Sequence, residues 1–172
     1  PHHGTTFIRE PLISAPDGVP RIALTTFGLR IGVEFAAPEL IDEALRRLPP
    51  GWDPADWCDL DRTVRLLPTG GDRYRLRIDD ELDSSETSRE VALDTFESVI
   101  QHYVSEFATP WLFVHAGVVE WRGRAIVIPG RSLSGKSTLT KALVDAGATY
   151  LSDEYAVIGP DGLMRPYPRR LS

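Results

Sequence analysis

The sequence predicts an α/β fold in two parts, a small α+β unit over residues 1–108 and a second α/β unit over residues 109–172. Three observations carry that prediction. Residues 27–35 alternate with the two-residue period of a half-buried strand. Leu93, Phe96, Ile100, Tyr103 and Phe107 recur at intervals of three and four, the period of a helix with one buried side. Residues 130–138 read Gly-Arg-Ser-Leu-Ser-Gly-Lys-Ser-Thr and fill the template G-x-x-x-x-G-K-S/T between a β-branched run and a helical one.

Each element follows from local chemistry. Phe27, Leu29, Ile31, Val33 and Phe35 share one strand face, with Arg30 and Glu34 on the other. Pro38 opens a helix at its tolerated first position, and the apolar stripe Leu40, Ile41, Ala44, Leu45 and Leu48 runs until Pro49-Pro50-Gly51 stops it. Residues 63–67 and 73–78 flank Pro68-Thr69-Gly70-Gly71-Asp72, a hairpin signal in which the arginines point away from Tyr74, Leu76 and Ile78 and form a solvated face. The acidic, serine-rich residues 79–90 read as a mobile connector. The helix that follows ends before Pro110, because the residue ahead of a proline disfavours helical backbone.

Residues 111–121 and 124–128 are strands turned at Arg122-Gly123, and they lead into the glycine-rich loop. Beyond it a helix carries Leu139, Leu143 and Val144 on one side and is stopped by Gly147. Residues 149–158 read as one strand, Pro160-Asp161-Gly162 as a turn, and residues 163–167 as its partner.

Composition narrows the function classes. A chain of 172 residues with 42% hydrophobic content can bury a core. Its net charge of -6 is dispersed, which recommends neither nucleic acid nor an anionic membrane as partner. Cys58 is the single cysteine, which excludes an internal disulfide and fits a reducing, cytoplasmic setting. The apolar runs are too short to cross a bilayer, and the N-terminal residues lack the order of a signal peptide.

The loop is a phosphate loop, or Walker A motif, and it points to nucleoside-triphosphate binding. Its glycines, Gly130 and Gly135, let backbone amides turn toward a polyanion, and the next helix adds the positive end of its dipole. Arg131, Ser132, Leu133, Ser134 and Thr138 complete the cradle, Lys136 reaches the outer phosphates, and the Ser137 hydroxyl joins a magnesium shell. One helix downstream, Ser152-Asp153-Glu154 supplies two acids that can divide the work, one taking a proton from an attacking hydroxyl and the other holding the metal. The alternative for the pair is alternate positions at a strand edge. No Asn-Lys-x-Asp signature for guanine is present.

With those residues in view, the order Phe113-Val114-His115-Ala116-Gly117-Val118, a glycine-turned hairpin, the loop, a short helix and Ser152-Asp153-Glu154 resembles the catalytic domain of HPr kinase/phosphorylase. More distantly it is similar to ATP-dependent phosphoenolpyruvate carboxykinase. The likeness covers residues 111–160. It implies a P-loop kinase-like sheet, ATP and Mg2+ as cofactors, Asp153 as the carboxylate that activates an acceptor serine, Glu154 near the metal, and His115 beside the reacting phosphate. For His115 the alternative is a strand histidine satisfied by a backbone partner. Leu133 stands where the family carries glycine and Glu154 where it carries aspartate, and the family's domain continues past the point matching Ser172. The nucleotide-binding unit is therefore expected to be short of strands, a sheet that a partner or a second copy of the chain would complete.

The resulting expectation is an ATP-dependent, HPr kinase-like phosphotransferase that moves the γ-phosphate to a hydroxyl, with a serine of a protein or peptide as the acceptor. Its catalytic residues are Asp153, His115 and Lys136, and Ser137 and Glu154 hold the metal. Two rival readings use the same loop: a kinase for a small-molecule acceptor, and a nucleotide-dependent regulatory or binding module without turnover.

Overall fold

The structure, a computed structural model, describes residues 12–14, 16–82, 85–131 and 134–167, the side chains of Ser14 and Leu82 excepted. Among these residues the chain is mixed α/β, with two sheets and three α-helices. It divides into two compact units, Pro1–Val104 and Ser105–Ser172. No helix of the described residues is long and apolar enough to cross a membrane.

The first unit is built on a sheet of eight strands: β1 (Ile13–Ser14), β2 (Pro20–Thr26), β3 (Leu29–Phe35), β4 (Asp53–Ala55), β5 (Arg62–Gly70), β6 (Arg73–Ile78), β7 (Glu81–Leu82) and β8 (Thr87–Ser88). The order is β1-β2-β3-β5-β6-β7, with β4 on β2 and β8 on β6. Only β3 and β5 run parallel. The strand expected from residue 27 begins at Leu29, because Phe27 and Gly28 take positive φ values of 49 and 84 and form the tight turn of a β2–β3 hairpin. The expected connector is also partly ordered. Its β7 and β8 pair with β6, and residues 83 and 84 lie outside the described residues.

A 3-10 turn (Pro38–Leu40) leads into the short α1 (Ile41–Leu45). The long α2 (Arg89–Phe107) begins four residues ahead of Leu93, where the periodic run starts. Ile22, Leu24, Ile31, Val33, Phe35, Val64, Leu66 and Leu76 are fully buried, as are Ala92, Phe96 and Val104 of α2. Burying each large side chain is worth about 1.5–3 kcal/mol. Arg89 pairs with Glu43 at 2.5 Å and Arg47 with Asp94, tying α2 to α1 and the turn after it.

The second unit has five strands: β9 (Leu112–Trp121), β10 (Arg124–Pro129), β11 (Thr149–Ser152), β12 (Tyr155–Ile158) and β13 (Met164–Arg165). Their order is β10-β9-β12-β13, and β11 also pairs with β9. Arg122 and Gly123, at φ 53 and 77, make the hairpin turn between β9 and β10. α3 (Lys136–Asp145) follows the loop and packs against β9. The helix comes close because β9 has glycine at the crossing: a Cβ on Gly117 would run into the Thr140 hydroxyl. On β9 and its neighbours Ala116, Val118 and Ala156 form a buried cluster extended by Val114, Leu151 and Met164.

The expected single strand over residues 149–158 is interrupted. The chain bends at Asp153 and Glu154, so β11 and β12 are separate pairings on the same flank of β9. The buried Ser152 sets the bend, its Oγ accepting the amide hydrogens of Glu154 at 3.2 Å and Tyr155 at 3.1 Å. A hydroxyl used in this way competes with strand pairing for the local backbone.

Candidate functional site

The register of β9 brings the site together. On one side Ala116 pairs with Pro129, the last residue of β10 before the loop. On the other, the Ala116 amide donates to the Glu154 carbonyl at 3.1 Å. The mouth of the loop, His115 and the acidic bend therefore stand at one level of the sheet, although they come from three separate stretches of sequence.

The loop itself is tightly folded. The Ser134 amide donates to the Arg131 carbonyl at 3.2 Å. A Cβ on Gly130 would lie 2.5 Å from Ser134 Oγ and 3.3 Å from Lys136 Cγ, so a side chain there would have to displace these two. Gly135 takes φ 88, the left-handed backbone that favours glycine, and starts α3. Lys136 is buried at 8% exposure, and its Nζ donates to the Arg131 carbonyl at 2.9 Å, across the same turn. Ser137 and Thr138 are exposed at the start of the helix. No side chain caps α3, its first turn carries no acid, and its first backbone bond runs from Leu139 to Gly135. The amides ahead of Leu139 are the donors that any helix start leaves unpaired, and they lie at its positive end. Ser132 and Leu133 lie outside the described residues.

At the acidic bend the two carboxylates are held differently. Asp153 Oδ1 accepts a hydrogen bond of 2.8 Å from the Tyr150 hydroxyl. Burial, and after it this bond to Asp153, pushes the Tyr150 phenol well above its ordinary range. Glu154 Oε1 lies 3.8 Å from His115 Nε2, an ion pair whenever the imidazole is protonated. His115 is 41% exposed and packs near the Tyr155 ring, with centroids 6.1 Å apart. Among the described residues no group of three or more His, Cys, Asp and Glu side chains gathers to hold a metal ion.

The sequence-predicted residues thus fall into two clusters, Gly130, Arg131, Ser134, Gly135 and Lys136 in the loop, and Asp153, Glu154 and His115 at the bend. Ser137 and Thr138 head the helix between them. Tyr150 and Ser152 were not foreseen in the roles they take. Ser152 carries a legible signal, a hydroxyl two and three residues ahead of the amides it receives. Tyr150 carries none, since its distance from Asp153 matters only once β11 ends in a bend. Searches among family models, curated proteins and solved structures find no match to this chain.

Proposed function

We propose that the second unit binds MgATP and transfers the γ-phosphoryl group to a hydroxyl, with a serine of a protein or peptide as acceptor, in the manner of an HPr kinase-like P-loop fold. The register about Ala116 supports this reading: the end of β10 before the glycine-rich loop, His115 and the acidic bend stand at one level of the sheet. The residues fit a triphosphate because Gly130 lies against the Ser134 and Lys136 side chains, α3 starts with neither cap nor acid, and Lys136 brings its ammonium to the turn. MgATP would supply the phosphoryl group and a divalent charge. The loop amides and Lys136 hold and neutralise the outer phosphates, and the Ser137 hydroxyl and Glu154 carboxylate are the metal's protein ligands. Asp153, one oxygen engaged by Tyr150, takes the acceptor's proton on Oδ2. His115 balances charge beside Glu154.

The test is ATP turnover with serine peptides and small hydroxyl compounds as acceptors, in the parent chain and in Asp153→Asn. The expected outcome is transfer to a serine hydroxyl that Asp153→Asn lowers by about 10²–10⁴. Transfer to small compounds alone would move the reading to a metabolite kinase. The second reading, a nucleotide-dependent binding module, is favoured by Glu154 standing where the resembled family carries aspartate. It wins if nucleotide binds and no acceptor is modified.

A further inference from the structure

The register of the first sheet sets up a charged row that the site in the second unit does not use. Arg21 on β2 pairs with Glu34 on β3, Glu34 with Arg65 on β5, and Arg65 with Arg77 on β6. Their strand neighbours Ile22, Val33, Val64 and Leu76 are fully buried, so the row stands on the opposite face of the sheet. Arg75 lies two residues from Arg77 along β6 and on the same face. Four arginines therefore meet one glutamate in a chain whose net charge is -6.

Glu34 is taken by Arg65. Arg65 and Arg77 are like charges directly opposite each other, an arrangement that destabilises a sheet. Arg73 of the same strand has Glu86 at 3.4 Å, whereas among the described residues Arg75 and Arg77 have no ion pair. The Nε atoms of Arg21, Arg75 and Arg77 are closed to solvent and make no hydrogen bond. Arg21 lies over the Trp57 ring at 4.6 Å. With Nε packed away, these half-buried side chains are restricted before any ligand arrives.

We propose that this face of the first unit, centred on Arg65, Arg75 and Arg77, binds an acidic polypeptide segment. The row crosses four adjacent strands, about 14 Å at the usual strand spacing, which four or five extended residues would span. Guanidinium forks match carboxylates in paired bonds. A duplex nucleic acid is far longer than this row, so most of its charge would lie over the remainder of an acidic chain, whereas a segment of four or five residues stays within the row. The face is independent of nucleotide chemistry in the second unit.

The test is fluorescence anisotropy of a labelled peptide of about six glutamates against the full chain, with a lysine peptide, a DNA duplex and phosphatidylserine vesicles as parallel probes. The glutamate peptide should bind, weaken as salt rises from about 50 to about 300 mM, and lose roughly tenfold or more in affinity in the Arg75→Glu, Arg77→Glu double variant. The Arg75→Lys, Arg77→Lys variant keeps the charge and removes the fork, so its loss should be intermediate. The far-UV circular dichroism and unfolding midpoint of both variants should match the parent, which checks that each is folded, and MgATP binding should be unchanged in both. Failure of the glutamate peptide to bind, equal binding in the glutamate variant, or tighter binding of duplex or vesicle overturns the proposal. Absence of MgATP binding in the parent would sink the kinase reading and leave this result standing.

Discussion

Two tyrosines show what single side chains do here. The Tyr150 hydroxyl donates to one oxygen of Asp153. On the proposed kinase reading, Tyr150→Phe should leave MgATP affinity unchanged in calorimetry while lowering turnover about tenfold, since misplacing a catalytic group costs rate and spares binding. A matching loss of nucleotide affinity would show that Tyr150 holds the loop instead. In the first unit, Tyr74 is buried and donates to Glu39 at 3.0 Å and Asp72 at 3.2 Å. Burial first, and the bond to Glu39 next, push its phenol up to about 12. The folded chain holds that proton more tightly than the unfolded chain, where the group titrates near 10. Its stabilising effect is complete below about pH 10 and is lost as pH rises toward 12. Denaturant unfolding at about pH 9 and 11 should show a steeper loss for the parent than for Tyr74→Phe. Equal losses would contradict the assignment.

At the scale of elements, the crossing of α3 over β9 decides where the loop sits. Gly117→Ala places a methyl group against the Thr140 hydroxyl, a buried oxygen with no hydrogen-bond partner. The expected cost is about 1–3 kcal/mol in thermal or denaturant unfolding. Adding Thr140→Ala should recover part of it, so the double variant loses less than the two singles together. Much of this level was legible in the sequence: the loop between strand and helix, the hairpin at Arg122-Gly123 and the helix through Phe107 all rest on local signals. What escaped depends on partners far along the chain. β2 was not read from its own residues, because Pro20-Arg21 masks a strand that is fixed by pairing with β3. The break at Asp153 and Glu154 was read through, since the strand-forming residues on either side of Ser152-Asp153-Glu154 read as one strand, and only the Ser152 hydroxyl's bonds to the next amides show the bend. The same holds at the site, where residue types pointed to Lys136, Asp153, Glu154 and His115, while only register shows which of them share a level.

For the molecule as a whole, local patches stand out against a dispersed negative charge. Within an overall charge of -6, the first unit keeps an arginine row on one sheet face, and the second holds Lys136 in the glycine-rich loop. On the proposed function, the loop amides and Lys136 receive the phosphates of ATP. Calorimetric titration of MgATP into the folded full chain tests it most directly. The predicted result is a saturable single-site heat that Lys136→Ala weakens about 10–100-fold, the worth of one charge-assisted contact. No heat with the parent chain, or equal affinity in Lys136→Ala, would contradict it.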